Sequence, residues 1–161
     1  MTRTMDILSK QLGDKLLEKG LLISAAESCT GGLVCQMITD VAGSSQWFER
    51  GFISYTNEAK NSMLNVPKEV IAKYGAVSIE TVEAMAKGAI KNSLADISLA
   101  VSGIAGPSGG TPSKPVGTVC FAWANKQGKI QSEVKLFAGD RGEVRQQAAN
   151  YSLAVVLRDF L

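Results

Sequence analysis

The chain has 161 residues, of which 45% are hydrophobic and 20% are charged, the composition of a soluble protein with a substantial core. Its 17 basic and 15 acidic residues leave a net charge of +2, so the charge does not favour a nucleic-acid partner. No apolar run approaches the roughly 18 residues that a membrane span needs, and residues 1–6 lack the apolar core of a signal peptide. We therefore expect one cytoplasmic domain over residues 1–161, without a membrane partner.

The predicted elements begin with a helix whose apolar face carries Leu8, Leu12 and Leu16 and which ends at Gly20. Further helices are predicted from Gly31 to Gly43, over residues 57–64, after Pro67, from Ser78, and from a capping box formed by Asp140 and Glu143. Strands are predicted over residues 21–26, 50–55, 97–101, 116–124 and 130–137.

Helices flank these strands on both sides in sequence, and a tight turn at residues 127–129 joins the last two strands. This order predicts an α/β fold, a three-layer α/β/α sandwich with a mixed, mostly parallel sheet. In such a fold, the loops that carry chemistry are expected at the carboxyl ends of the strands.

Histidine is absent from the chain, which excludes a Ser-His-Asp triad and histidine metal ligands. The three cysteines, Cys29, Cys35 and Cys120, show no Cys-x-x-Cys spacing, which argues against a disulfide framework or a zinc cluster. A hydrolytic serine in this chain would need a lysine, a tyrosine or a carboxylate as its base.

Ser28 is the first candidate nucleophile, since it follows a predicted buried strand and precedes a glycine pair and a helix. An ordinary helix cap is the commoner role for such a serine. The N–H groups of Cys29, Thr30 and Gly31 would be placed to stabilise an oxyanion, and Gly31 with Gly32 would let a substrate approach the backbone. Cys29 competes for the nucleophile's role, because a thiol at a helix N-terminus has a lowered pKa, although a small buried filler is the commoner role for such a cysteine.

Tyr55 and Lys60 form a second candidate group, at the end of a predicted strand and in the helix that Asn57 is suited to cap. A buried lysine can act as a base, and a tyrosine can orient or relay the proton. Taken by themselves, a solvated helix lysine and a half-buried strand tyrosine are the simpler interpretation.

A glycine-rich loop after the third predicted strand can hold a phosphate or a sugar with its backbone N–H groups. It lacks the Gly-Lys-Ser/Thr ending of a P-loop. Arg141 lies in the first turn of the last helix, where its charge opposes the helix dipole, and Arg145 lies one turn further on. A cation in that position often binds an anionic ligand. The candidate binding residues of this region are Ser102, Gly103, Ala105, Gly106, Thr118 and Arg141.

Together these segments resemble the CinA C-terminal domain family, and in particular its stand-alone nicotinamide-nucleotide amidohydrolases, over nearly the whole chain. The resemblance rests on ordered motifs at residues 26–32, 43–48, 55–60, 75–78, 102–107, 114–118 and 139–141. It implies hydrolysis of the carboxamide of nicotinamide mononucleotide in pyridine nucleotide recycling. It also implies that Ser28 is the nucleophile, with Tyr55 and Lys60 assisting, and that the protein forms a homodimer or a higher homo-oligomer.

We expect Lys60, with a lowered pKa, to accept the Ser28 proton while Tyr55 relays or orients it, and we expect no metal and no cofactor. The ribose and phosphate contacts are expected from residues 102–106, Thr118 and Arg141. The alternative is a catalytically silent nucleotide-binding or regulatory domain that uses the same pocket. A third possibility keeps the catalytic roles but acts on another amide or ester.

Overall fold

The structure is a computed structural model and describes residues 4–161, with side chains from residue 7. The helices are α1 Thr4–Lys19, α2 Leu33–Thr39, α3 Asn57–Leu64, α4 Lys68–Tyr74, α5 Ile79–Lys91 and α6 Arg141–Val155. The strands are β1 Ile23–Glu27, β2 Phe48–Ile53, β3 Ile97–Gly103, β4 Thr118–Asn125 and β5 Ile130–Leu136. A 3₁₀ turn at Ser44–Gln46 and a π-helical turn at Val156–Phe160 complete the described elements. Every predicted strand and helix is therefore present.

The five strands form one mixed sheet in the order β2-β1-β3-β4-β5. β1 pairs in parallel with both β2 and β3, whereas β4 pairs antiparallel with β3 and β5. Four strands thus point in one direction and β4 is reversed, which confirms the predicted mixed sheet. The tight β4–β5 connection explains the reversal, because parallel neighbours would need a long crossover.

Helices cover both faces of the sheet, as the three-layer prediction requires. One face is buried under α1, α2 and α6, with Leu16, Met37 and Leu153 in its core. The other is buried under α3, α4 and α5, where Leu64 and Met85 pack against small residues of the central strands. Along residues 4–161, no helix is both long enough and apolar enough to cross a membrane.

Local sequence accounts for most helix boundaries, with two corrections. Asp140 and Glu143 form the predicted capping box of α6, and Ser78 caps α5. The cap of α3 is Thr56, not Asn57, because the Thr56 hydroxyl accepts a hydrogen bond from the Ala59 N–H group at 3.0 Å. Helix α2 begins at Leu33, two residues later than predicted.

The carboxyl ends of β1, β2 and β3 lie side by side, because Glu27 pairs with both Ile53 and Val101. Ser28 continues this register, since its N–H group donates to Val101 O at 3.0 Å. Ser28, the segment after β2 and the loop after β3 therefore meet at one edge of the sheet.

Candidate active site

A cavity of about 450 Å³ opens at this edge of the sheet. Its walls come from the β1–α2 turn, the segment from the end of β2 into α3, residues 76 and 77, the loop after β3, and the first turn of α6. It holds Ser28, Cys29, Tyr55 and Lys60 together with Ser102, Gly103, Ala105, Gly106 and Arg141. Four of these segments were singled out from the sequence, those with Ser28, Lys60, Gly106 and Arg141, and the fold brings them to one place.

Ser28 and Lys60 are in direct contact on the floor of this cavity. The Lys60 amine, Nζ, lies 2.9 Å from the Ser28 hydroxyl oxygen, Oγ. Ser28 is 7% exposed and Lys60 only 1% exposed. The simpler interpretation of Lys60 as a solvated helix residue is therefore wrong, because α3 packs its first turns against the ends of β1 and β2.

The other partners of the Lys60 amine are two backbone carbonyls, Ser54 O and Tyr55 O, each at 3.1 Å. No carboxylate forms an ion pair with Lys60 in the described part of the chain. Burial consequently lowers the pKa of Lys60, and a small opposing effect comes from Cys29. The expectation of a lowered Lys60 pKa is confirmed in direction.

These contacts suit both ionisation states of the amine. A charged Lys60 donates its three hydrogens to Ser28 Oγ and the two carbonyls, while the Ser28 hydroxyl faces Tyr55 O at 3.4 Å. A neutral amine has two hydrogens for the carbonyls and one lone pair, which is left facing Ser28. Lys60 can therefore take the Ser28 proton without movement of heavy atoms.

Tyr55 contributes its backbone carbonyl to this pair, and its side chain lies elsewhere. The ring is 55% exposed, and the phenol oxygen accepts a hydrogen bond from Arg141 Nη2 at 3.3 Å. The structure contains no hydrogen bond from the Tyr55 hydroxyl to Ser28 or Lys60. Tyr55 was expected either to orient or to relay the proton that passes from Ser28 to Lys60. Its backbone carbonyl gives the orienting role a structural basis. Its hydroxyl makes no contact that supports the relay.

The turn after Ser28 differs from the expected helix N-terminus with free N–H groups. The fully buried Glu27 carboxylate accepts hydrogen bonds from the N–H groups of Gly32, Val34 and Cys35 at 3.1, 2.9 and 2.9 Å. Helix α2 is thus capped by Glu27, and Gly32 is not available to a substrate.

Two N–H groups of the turn remain for an oxyanion. The Gly31 N–H group donates to Ser28 O at 3.1 Å, which removes it from the expected set. Those of Cys29 and Thr30 have no hydrogen-bond partner among the described residues. Of these two residues, Cys29 lines the cavity and the buried Thr30 does not.

Arg145 holds this turn and does not join Arg141. Its Nε donates to Cys29 O at 3.0 Å and its Nη2 to Thr30 O at 2.9 Å. Because the C=O and N–H groups of a trans peptide point in opposite directions, the bond to Cys29 O also sets the direction of the Thr30 N–H group. Gly31 has a φ of 57°, and a Cβ there would lie 3.2 Å from Arg145 Nη2, so a glycine fits this close approach.

Cys29 lines the cavity but is a poor nucleophile. Burial raises the pKa of its thiol to about 11, and the nearby Glu27 charge acts in the same direction. The expectation of a lowered pKa is therefore wrong, because burial disfavours the thiolate more than the backbone N–H groups and the Arg145 charge favour it. Ser28 remains the candidate nucleophile.

The loop after β3 meets the cavity as expected, with one exception. Ser102 is 1% exposed, and its hydroxyl has no partner among the described residues. Arg141 Nη1 donates to Gly106 O at 2.8 Å, which joins α6 to this loop. Thr118 does not line the cavity, because its hydroxyl turns to Pro115 O at 2.6 Å and faces a separate depression beside Lys114.

Sequence reasoning missed six residues that line the cavity: Thr56, Asn57, Ala76, Val77, Ser108 and Gly109. The first four lie inside motifs quoted from the sequence, and the last two follow the motif at residues 102–107. No signal in the sequence distinguished them, since which residue of a loop faces a cavity depends on the tertiary packing.

Comparison with known proteins identifies the family of this chain. A model of the CinA C-terminal domain matches residues 5–160. The chain belongs to the CinA C-terminal domain family. The nicotinamide-nucleotide amidohydrolase PncC of Escherichia coli strain K12 is 51% identical over 154 residues, which are 96% of this chain and 93% of that protein. PncC of Enterobacter agglomerans is 49% identical over 154 residues, 96% of this chain and 94% of that one.

Solved structures agree with this assignment to the CinA C-terminal domain family. The crystal structure of the competence/damage inducible protein CihA from Agrobacterium tumefaciens matches with a TM-score of 0.95 at 38% identity, covering 98% of this chain and 96% of that chain. In this CinA domain, motifs as distant in sequence as residues 26–32 and 139–141 meet at one cavity.

Proposed function

We propose that this protein hydrolyses the carboxamide of nicotinamide mononucleotide to nicotinic acid mononucleotide and ammonia, in pyridine nucleotide recycling. The observation that carries the proposal is the buried contact of 2.9 Å between Lys60 Nζ and Ser28 Oγ at the floor of a cavity. The cavity volume, about 450 Å³, lies in the usual range for small-ligand sites. The two relatives named PncC supply the substrate class.

The first step of the proposed reaction is attack by Ser28 Oγ on the carboxamide carbon. As the C–O bond forms, the hydroxyl proton passes to the neutral Lys60 amine, and the carbonyl oxygen becomes an oxyanion. The N–H groups of Cys29 and Thr30 are its candidate donors, and Arg145 fixes the orientation of the second. One such donor contributes on the order of 10²–10³ to kcat in a serine hydrolase.

The second step breaks the C–N bond, and Lys60 returns its proton to the leaving nitrogen, which departs as ammonia. A water molecule then attacks the acyl ester on Ser28 and gives its proton to Lys60. Collapse of that intermediate returns the Lys60 proton to Ser28 and frees the carboxylic acid, which loses its remaining proton to solvent and becomes the carboxylate. General-base catalysis of this kind contributes about 10²–10⁴ in rate.

Arg141 is the proposed contact for the phosphate. It is the one cation besides the buried Lys60 among the residues that line the cavity. Two of its nitrogens already bind Gly106 O and the Tyr55 hydroxyl, so its guanidinium is held at the rim. A planar, permanently charged group suits a phosphate.

Incubation with nicotinamide mononucleotide, with ammonia and nicotinic acid mononucleotide both quantified, tests the proposal. We expect wild-type turnover, and losses of at least 10³ in kcat for Ser28→Ala and Lys60→Met, with no further loss in the double variant. Lys68→Met, at an exposed position on α4, is the matched control and keeps full activity. Wild-type binding of the nucleotide without release of ammonia would instead favour the silent nucleotide-binding domain.

A further inference from the structure

The surroundings of Lys60 lack a negative charge. Its three hydrogen-bond partners are an alcohol and two amide carbonyls. The Cys29 thiol, which also lines the cavity, is protonated at neutral pH because burial raises its pKa to about 11. At the rim stand the Tyr55 phenol and the Arg141 cation, and none of the residues that line the cavity is acidic.

Carboxylates on the elements packed around Lys60 are directed elsewhere. Glu27 on β1 binds the amides of α2 on the opposite face of the sheet, and Glu58 on α3 borders a separate depression beside Lys68. On α5, Glu80 borders the depression beside Lys114 and Glu83 accepts a hydrogen bond from Ser132. On β2, Glu49 pairs with Arg50. On α4, the carboxylate is that of the exposed Glu69. Among residues 7–161, therefore, no carboxylate is placed to hold Lys60 in its charged form.

The proposed substrate would bring a charge of its own into this neutral site. The nicotinamide ring of the mononucleotide is a quaternised pyridinium, and its carboxamide must reach Ser28, which is 2.9 Å from the amine. The ring charge is then on the order of 6 Å from Lys60 Nζ. At that distance and an effective dielectric constant of about 20, repulsion between like charges shifts the ionisation of Lys60 roughly 100-fold toward the neutral amine.

We propose that the fixed positive charge of the bound pyridinium ring keeps Lys60 neutral, so that the site selects carboxamides carried on a cationic ring over neutral ones of the same shape. This inference rests on the function proposed above and extends it to the class of ring that is accepted. The same repulsion makes the protonated Lys60 a stronger acid, which favours return of the proton to the leaving nitrogen.

Two substrates of matched shape test the inference on the wild-type enzyme. One is nicotinamide mononucleotide, and the other is the C-nucleotide in which a neutral 3-carbamoylphenyl ring replaces the pyridinium. Both carry the same ribose phosphate, so ionisation of the phosphate affects both equally. The dependence of kcat on pH is measured for each between pH 5 and pH 10.

Lys60 is active when neutral, so kcat rises with pH through the ionisation of Lys60 in the enzyme–substrate complex. We expect this acidic limb to lie one to two pH units lower for the cationic substrate than for the neutral one. Acidic limbs at the same pH for both substrates would overturn the inference. So would an absence of turnover of the neutral analogue at every pH, because the ring charge would then do more than keep Lys60 neutral. Failure to release ammonia from nicotinamide mononucleotide would instead overturn the proposed function itself.

Discussion

Glu27 and Ser28 are consecutive in sequence, but their side chains serve opposite faces of the sheet. The Glu27 carboxylate accepts three hydrogen bonds from the first amides of α2, whereas the Ser28 hydroxyl meets Lys60 of α3. Strand alternation at the end of β1 produces this division. Glu27 thus anchors the turn that carries the nucleophile, and Ser28 is left to the cavity.

Glu27→Gln should destabilise the protein. The substitution replaces one acceptor oxygen with an NH₂ group that faces a backbone donor. Buried N–H groups are then left without partners, which lowers the free energy of unfolding by about 1–3 kcal/mol. Urea unfolding measures the change. Glu58→Gln, at an exposed position on α3, is the control and should stay within about 0.5 kcal/mol of wild type. Equal stability of the two variants would show that the Glu27 bonds do not stabilise the turn.

Asn57→Asp should shift the acidic limb of the pH–rate profile to higher pH. Asn57 lines the cavity and lies three residues before Lys60 on α3, so a carboxylate there favours the charged amine and raises its pKa. Because Lys60 acts as a base only when neutral, activity is then lost at a higher pH as the solution is acidified. Gln36→Glu, exposed on α2 across the sheet, should leave the limb unchanged. A limb that does not move in Asn57→Asp would argue against Lys60 as the titrating base.

Arg141→Gln should raise KM for nicotinamide mononucleotide at least tenfold and change kcat by less than threefold, because it removes the proposed phosphate contact. Nicotinamide riboside, which has no phosphate, is the matched substrate and should be affected little by the substitution. An equal loss with both substrates would indicate that Arg141 acts instead through its bond to Gly106 O.

Arg145→Lys should lower kcat at least tenfold while KM stays close to the wild-type value. A lysine cannot donate to Cys29 O and Thr30 O from the fixed fork of a guanidinium, so the orientation of the Thr30 N–H group is no longer set. Steady-state kinetics and the melting temperature are measured together. Arg158→Lys, at an exposed position, provides the control. A rise in KM alone would contradict the positioning role.

The cysteines should resist alkylation in the folded protein. Burial raises the pKa of the Cys29 and Cys120 thiols to about 11, and burial together with the neighbouring Glu27 raises the pKa of Cys35 further. Intact mass after treatment with iodoacetamide at pH 8 should show little modification in buffer and three modifications in urea. Cys29→Ala should keep kcat within about threefold of wild type. Rapid labelling of Cys29 together with loss of activity in Cys29→Ala would restore the thiol as nucleophile.

Local sequence was sufficient for the elements of this protein. The signals for strands and helices act over a few residues: apolar periodicity, glycine at helix ends, and capping pairs such as Asp140 with Glu143. These signals predicted every strand and helix and the mixed sheet. The absence of histidine limited the choice of base before any fold was known. Motif order was also sufficient to indicate the CinA C-terminal domain family.

Tertiary structure decided what each candidate side chain does. Lys60 is a base candidate because packing of α3 against the ends of β1 and β2 buries its amine beside Ser28, and burial is a property of the whole fold. Burial also raises the pKa of the Cys29 thiol, which explains why Cys29 is not activated. Desolvation depends on groups that are distant in sequence, and no local pattern contains them.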